Sequence, residues 1–119
     1  MPRMLIVEDD LALNTCLQEF FQLKGFSIQS AFSGEEAVER LNEGPVDVIL
    51  LDVLLPGLTG IEVLRWAKER YPQVKVIVVT AMDDEGVQAT ARRYGADAVI
   101  SKPFDFSDST WFRVLAQPT

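Results

Sequence analysis

The chain contains no histidine among its 119 residues. This absence removes the commonest general base and the commonest zinc ligand, and it excludes phosphohistidine chemistry within the chain. Any reaction at this protein must therefore depend on carboxylates, hydroxyls and lysine.

Cysteine is almost as scarce, since Cys16 is the single one. One cysteine excludes an internal disulfide and fits a reducing cytoplasm. Because Cys16 lies within a helical pattern, we expect it to be a small buried hydrophobic residue. The apolar run after Met1-Pro2-Arg3 ends at Glu8, which is too short for a signal peptide, and no run is long enough to span a membrane. We expect a cytoplasmic protein without a membrane segment.

Basic residues are in deficit, with 11 Lys and Arg against 18 Asp and Glu and a formal net charge of −7. Direct binding of nucleic acid needs a basic surface, so we do not expect it of this chain. A length of 119 residues is enough for one hydrophobic core and too short for two. We therefore predict one domain over residues 1–119.

Short apolar runs alternate with amphipathic stretches along the whole sequence. The predicted strands are Met4–Val7, Ser27–Ala31, Val46–Leu51, Val74–Val79 and Ala98–Ser101. Several of these runs lack polar alternation, which is typical of parallel strands covered by helices on both faces. The pattern predicts an α/β fold with an open, doubly wound parallel sheet.

The stretches between these runs have helical spacing. Ser33 with Glu36, and Thr59 with Glu62, form capping-box pairs that mark two helix starts. A fourth helix is predicted from Asp84 to Tyr94. The pattern is weakest after residue 107, where a last helix would be short.

Chemically capable side chains follow four of the predicted strands. The first strand is followed by Glu8-Asp9-Asp10, the third by Asp52, the fourth by Thr80 and the fifth by Lys102. Ligand sites of such folds gather at the carboxyl ends of the strands. If the four strands are neighbours, these groups converge on one pocket.

Clustered carboxylates constrain what this pocket can hold. Glu8, Asp9 and Asp52 at close range would repel by roughly 4 kcal/mol per pair at an effective dielectric constant of about 20. Such a cluster must bind a cation or hold protons, and oxygen ligands with access to water suit Mg²⁺. A simpler interpretation is that Asp9 or Asp10 only caps the first helix. It fits Asp10 but leaves Asp52 without an explanation.

A hydroxyl and an ammonium beside the acidic cluster favour phosphoryl transfer. Asp52 would attack phosphorus in line, while Mg²⁺, Lys102 and Thr80 would stabilise charge on the equatorial oxygens. The product would be an aspartyl phosphate.

The strings MLIVEDD, VILLDVLLPGLTG, VIVVTA and ISKPF occur in this order between Met4 and about Phe104. As a set they resemble the receiver domain of bacterial two-component response regulators. The resemblance implies a flavodoxin-like sheet with strand order 2-1-3-4-5 and a signalling switch rather than an enzyme. It also implies Asp52 as phosphoacceptor, with Thr80 and Lys102 contacting the phosphoryl group. The Mg²⁺ ligands that it implies are Glu8, Asp9, Asp52 and the backbone carbonyl of Leu54.

The same resemblance implies partners. A sensor histidine kinase or phosphotransfer protein would dock beside Asp52 on the first helix. The face formed by the fourth helix, fifth strand and fifth helix would respond and could form a homodimer. Pro56 and Gly60 match the turn after the phosphoacceptor. Both a stand-alone receiver and the N-terminal part of a longer regulator fit the sequence.

One residue departs from this family pattern, because Val99 occupies the place of the aromatic switch residue. It keeps open a receiver-like module that acts through interactions without being phosphorylated. An aspartyl-nucleophile phosphatase of the haloacid dehalogenase type would need an acid at Leu54, and a nucleotide-binding module would need a glycine-rich loop at Glu8-Asp9-Asp10. Leu54 and Met82 are apolar and cannot orient an attacking water, so we predict a long-lived aspartyl phosphate.

Overall fold

The computed structural model describes residues 2–53, 59–80 and 85–101. Its strands are β1 (Arg3–Val7), β2 (Ser27–Ala31), β3 (Val48–Asp52), β4 (Lys75–Thr80) and β5 (Ala98–Ser101). Its helices are α1 (Leu11–Leu23), α2 (Gly34–Glu43), α3 (Gly60–Arg70) and α4 (Glu85–Arg93). The predicted alternation of strands and helices is confirmed. The predicted last helix lies outside the described residues.

The five strands form one parallel sheet in the order β2-β1-β3-β4-β5. This is the doubly wound order implied by the sequence resemblance, and the fold class is confirmed. The order places β1 and β3 side by side with β4 next to β3, so their carboxyl ends lie along one edge of the sheet.

The predicted bounds of the third and fourth strands were wrong at both ends. The strands begin after Val46 and Val74 and include the polar residues Asp52 and Thr80. Apolar character reports burial rather than strand pairing: Val74 is buried and Val46 packs against the core, but neither lies in a strand. Asp52 and Thr80 stay in the sheet, in register with Val79 and Ser101.

Alternate residues of the central strands pack against helices on opposite faces of the sheet. One buried cluster joins the sheet to α1 and contains Met4, Ile6, Leu17, Phe21, Val48, Leu50, Ile77 and Val79. The other joins the opposite face to α2, α3 and α4, through residues such as Leu5, Ile49, Leu51, Leu41, Val63, Leu64, Val76, Val78 and Ala91. Burying such a side chain contributes about 1.5–3 kcal/mol relative to leaving it exposed.

Side-chain caps fix where three helices begin. The Asp10 carboxylate accepts from the Leu13 N–H at 3.0 Å, the Ser33 hydroxyl from the Glu36 N–H at 3.1 Å, and the Thr59 hydroxyl from the Glu62 N–H at 3.3 Å. These contacts confirm the helix starts predicted at Ser33 and Thr59 and the capping role of Asp10.

Cys16 is exposed, so the expectation of a buried cysteine was wrong. The buried side of α1 is formed by Asn14, Leu17 and Phe21, which are three and four residues apart. Cys16 falls outside this helical spacing and lies on the surface.

An ion pair ties α3 to the amino ends of β4 and β5. The Lys68 ammonium lies 2.9 Å from the Asp97 carboxylate and donates to the Val74 carbonyl at 2.6 Å. The same Asp97 oxygen accepts from the Val76 N–H at 2.8 Å. Both charged side chains are largely buried, with 17% and 23% of their surface exposed. This contact therefore stabilises the amino-end edge of the sheet, which is opposite to the carboxyl-end edge where the site is predicted.

None of the helices in the described part of the chain combines the length and apolar character needed to cross a lipid bilayer.

Candidate functional site

The loop after β1 places two carboxylates at the carboxyl edge of the sheet. Glu8 is buried, and its backbone N–H donates to the Ala31 carbonyl of β2 at 3.0 Å. One of its carboxylate oxygens accepts from the Asp10 N–H at 3.1 Å. Asp9 is exposed to solvent. The loop therefore presents one buried and one open acidic side chain.

Asp52 is the last residue of β3, and it is only 4% exposed. The next residue, Val53, donates its N–H to the Val79 carbonyl of β4 at 3.2 Å. Because β1 and β3 are neighbours, the carboxylate oxygens of Glu8, Asp9 and Asp52 come within 4.8 Å of one another. The convergence expected from the sequence is present for these three residues.

Gly60 brings the start of α3 against the backbone that carries Asp52. Its N–H donates to the Val53 carbonyl at 3.0 Å. A Cβ at Gly60 would stand 2.6 Å from the Val53 Cα and 2.9 Å from the Asp52 carbonyl carbon, and it would also overlap the Asp52 carbonyl oxygen. Only glycine allows this close approach to the backbone of Asp52 and Val53, which explains physically why position 60 is a glycine.

Thr80 ends β4, one residue beyond the register partner of Asp52, and it is fully buried. Its own register partner in β5 is Ser101, the residue before Lys102. Lys102 and Leu54 lie outside the described residues, as do Pro56 and Met82, so their predicted roles stay predictions. The structure thus brings together Glu8, Asp9 and Asp52, with Thr80 at the end of the adjacent strand.

The donor set fits a divalent cation that prefers oxygen ligands. Its members are all carboxylates, of which Glu8 and Asp52 are buried and Asp9 is open to solvent. Mg²⁺ is usually bound through one or two carboxylates and keeps several waters, for which an open side of the site is needed. The residues present therefore fit Mg²⁺ better than a metal that prefers nitrogen or sulfur.

Sequence reasoning missed Asn14, a fully buried side chain beside this loop. Its amide nitrogen donates to the Glu8 carbonyl at 2.9 Å and to the Ala31 carbonyl at 3.3 Å. A signal was available, because Asn14 shares the helical spacing of Leu17 and Phe21 and is the one polar member of that set.

Comparison with known proteins identifies the family. Residues 4–110 match the family described as the response regulator receiver domain. The chain belongs to this family. Receivers are signalling switches rather than conventional enzymes, they bind Mg²⁺ in an acidic pocket, and they interact with histidine kinases or phosphotransfer proteins.

Among solved structures, the receiver resembles the response regulator TrrA of Thermotoga maritima in complex with Mg²⁺–BeF. The TM-score is 0.85 at 30% identity, covering 97% of each chain. The two proteins thus share the fold over nearly their whole length.

Curated relatives are longer proteins. A cyclic di-GMP phosphodiesterase of Thermotoga maritima is 46% identical over 99 residues, which are 83% of this chain and 26% of that protein. The transcriptional regulatory protein AfsQ1 of Streptomyces coelicolor is 38% identical over 103 residues, which are 87% of this chain and 45% of that protein. The chain therefore spans less than half the length of these two relatives, and their names describe those whole proteins.

Proposed function

We propose that this receiver, as one domain over residues 1–119, accepts a phosphoryl group on Asp52 and signals through the resulting change of state. The observation that carries the proposal is the convergence of the Glu8, Asp9 and Asp52 carboxylate oxygens within 4.8 Å of one another at the carboxyl edge of the sheet. A carboxylate that is buried at a strand end beside two further acids must bind a cation or hold a proton, and the oxygen ligands favour Mg²⁺.

The metal ligands that we propose are Glu8, Asp9, Asp52 and the backbone carbonyl of Leu54. The chemistry that Mg²⁺ supplies is neutralisation of negative charge on the carboxylates and on the phosphoryl oxygens. Glu8 already accepts a hydrogen bond from the Asp10 N–H, which orients its carboxylate. Asp9 is exposed and so lies within reach of an ion that enters from solvent.

Asp52 acts as the nucleophile in this proposal. One of its carboxylate oxygens forms a bond to phosphorus while the bond from phosphorus to the donor breaks, and the donor leaves with the electron pair. No general base is needed, because an ionised carboxylate carries no proton to remove. We propose that the Thr80 hydroxyl donates to one phosphoryl oxygen and that the Lys102 ammonium pairs with another.

The donor must be another molecule, because this chain has no histidine. We propose a sensor histidine kinase or phosphotransfer protein that docks on α1, since α1 begins beside the site at its cap, Asp10. Phosphorylation would shift a two-state equilibrium of the face formed by α4, β5 and the predicted last helix, which is also the proposed homodimer face. Couplings of about 1–3 kcal/mol are usual for such shifts.

Intact-mass analysis after incubation with Mg²⁺ and acetyl phosphate tests this function. We expect one added phosphoryl group on the wild-type chain and none on Asp52→Asn. Asp47→Asn is the matched control, because Asp47 lies at the opposite end of the same strand region, where its carboxylate accepts from the Arg3 N–H at 2.7 Å. This control should be phosphorylated as the wild type is.

The alternative is a receiver fold that acts through interactions without phosphorylation. Val99 favours this alternative. It is a half-buried residue of β5 that packs against the core, at the position where the family pattern has an aromatic switch residue. A wild-type chain that gains no phosphoryl group and binds no Mg²⁺ would replace the main proposal with this alternative. Phosphorylation that persists in Asp52→Asn would instead move the acceptor elsewhere.

A further inference from the structure

Asn14 connects the metal-binding loop to the sheet through a buried amide. Its Nδ2 donates to the Glu8 carbonyl at 2.9 Å and to the Ala31 carbonyl at 3.3 Å, and its side chain is fully buried. Glu8 is the first residue after β1, and Ala31 is the last residue of β2. One side chain on α1 thus bridges two adjacent strand ends beside the acidic cluster.

The orientation of this amide is fixed by its partners. Both backbone carbonyls can only accept hydrogen bonds, so the NH₂ group of Asn14 must face them. Its remaining oxygen accepts from the Gln18 Nε2 at 2.8 Å. Every polar atom of the Asn14 side chain has a partner, which gives the side chain one defined position.

The hydrogen bond from Asn14 to the Glu8 carbonyl affects Asp9, a proposed metal ligand, through the planar peptide unit that joins Glu8 to Asp9. The Glu8 carbonyl belongs to the peptide unit whose other end is the Cα of Asp9, and these atoms lie in one plane. Holding the Glu8 oxygen therefore sets the direction in which Asp9 leaves the strand. Asp9 itself is exposed, so packing does little to hold its side chain.

We infer that Asn14 is a positioning residue for the Mg²⁺ site, because its amide fixes the Glu8–Asp9 peptide and thereby aims the Asp9 carboxylate. This inference rests on the proposed function, since it assumes that Glu8, Asp9 and Asp52 hold Mg²⁺. Residues that orient metal ligands without touching the metal typically change metal affinity by about 10- to 100-fold when they are replaced.

The test is isothermal titration of Mg²⁺ into the full chain and its variants, with folding checked by circular dichroism. Asn14→Leu is nearly isosteric and removes both donated bonds. Gln18→Met is the matched control, because it removes only the bond to the Asn14 oxygen and leaves both donated bonds in place. Asn14→Ser is a second variant, which is too short to reach the Glu8 carbonyl and adds no bulk.

We expect the Kd for Mg²⁺ to rise by about 10-fold or more in both Asn14 variants and to stay within about 2-fold in Gln18→Met. At saturating Mg²⁺, the yield of phosphorylation by acetyl phosphate should return to the wild-type value, because the nucleophile is unchanged. This separation of affinity from yield would not result from a general loss of stability.

A folded Asn14 variant with wild-type affinity for Mg²⁺ would overturn the inference and leave the proposed function intact. If both Asn14 variants are unfolded, Asn14 is a folding residue and the inference is again overturned. If the wild-type chain binds no Mg²⁺, the proposed function fails first and the inference fails with it.

Discussion

Replacing Gly60 with alanine should lower the stability of the fold and displace Asp52, the proposed phosphoacceptor. The added Cβ would stand 2.6 Å from the Val53 Cα and 2.9 Å from the Asp52 carbonyl carbon. Carbon atoms in favourable contact are about 3.5–4.0 Å apart, so the start of α3 or the end of β3 must move by about 1 Å. Both neighbours are backbone and cannot turn aside as a side chain could.

Neither element can move cheaply. α3 is held by Val63, Leu64 and Ala67, which are fully buried, and β3 is buried along its whole length. Overpacking of this kind usually costs about 1–3 kcal/mol, and a clash with backbone should lie at the upper end. Alanine also reduces the conformational entropy of the unfolded chain, and this effect offsets about 0.4–1 kcal/mol of the destabilisation. We expect Gly60→Ala to lower the free energy of unfolding by about 2 kcal/mol.

Urea denaturation followed by circular dichroism measures this loss, with Gly44→Ala as the matched control. Gly44 also adjoins a helix, but its backbone is extended and the nearest atom to an added Cβ is the Arg3 Nη1 at 3.7 Å. Gly44→Ala should stay within about 0.5 kcal/mol of the wild type or be slightly more stable. The rate of phosphorylation by acetyl phosphate should fall in Gly60→Ala alone. Equal stabilities of the two variants, or unchanged phosphorylation in a destabilised Gly60→Ala, would refute the reasoning.

Three further predictions concern other contacts. Asp97→Ala should lower the free energy of unfolding by about 2 kcal/mol, because it removes the carboxylate that pairs with the largely buried Lys68 ammonium and accepts from the Val76 N–H. Glu69→Ala, which breaks an exposed ion pair, should change the free energy of unfolding by less than about 0.5 kcal/mol, and equal effects of the two variants in urea denaturation would contradict this prediction. Mg²⁺ at about 100 times its Kd for the wild type should raise the free energy of unfolding of the wild type by about 2.7 kcal/mol and that of Asp9→Asn by far less. An equal rise in the two proteins would exclude Asp9 as a ligand. Leu54→Asn should speed loss of the aspartyl phosphate by about tenfold, because a hydrogen bond that orients the attacking water would stabilise the transition state by about 1.4 kcal/mol. Rapid decay in the wild type that the variant does not accelerate would count against a long-lived phosphate.

Most of the fold was predictable because the sequence is locally consistent with it. The apolar runs of β3 and β4 lack alternation since both faces of these strands are covered, and the capping pairs at Ser33 and Thr59 mark helix starts directly. Strand bounds were less predictable, because Val46 is apolar for packing reasons while Asp52 is polar within the sheet. Burial and strand pairing are different properties, and hydropathy reports only the first.

Within the site, residue type and position at strand ends were enough to select Glu8, Asp9 and Asp52. The sequence could not indicate what holds their backbone. Asn14 is polar on a buried helix face, but its use depends on which carbonyls lie opposite α1, and this is a property of the packed structure. Cys16 shows the converse, because a residue type that is usually buried lies here on the surface.

Two contacts hold the backbone of the acidic cluster in place at the carboxyl edge of the sheet, one at the Glu8 carbonyl and one at the Asp52 carbonyl. At 4.8 Å and an effective dielectric constant of about 20, two carboxylates repel by about 3.5 kcal/mol before their other partners are counted. Such repulsion could be relieved if the strand ends moved apart. Asn14 holds the Glu8 carbonyl from the α1 face, and Gly60 packs on the Asp52 carbonyl from the α3 face, so the backbone is held from both sides of the sheet. Because these contacts hold the backbone in place, a cation that neutralises the carboxylates would relieve the repulsion between them, which is the role proposed for Mg²⁺ at this site.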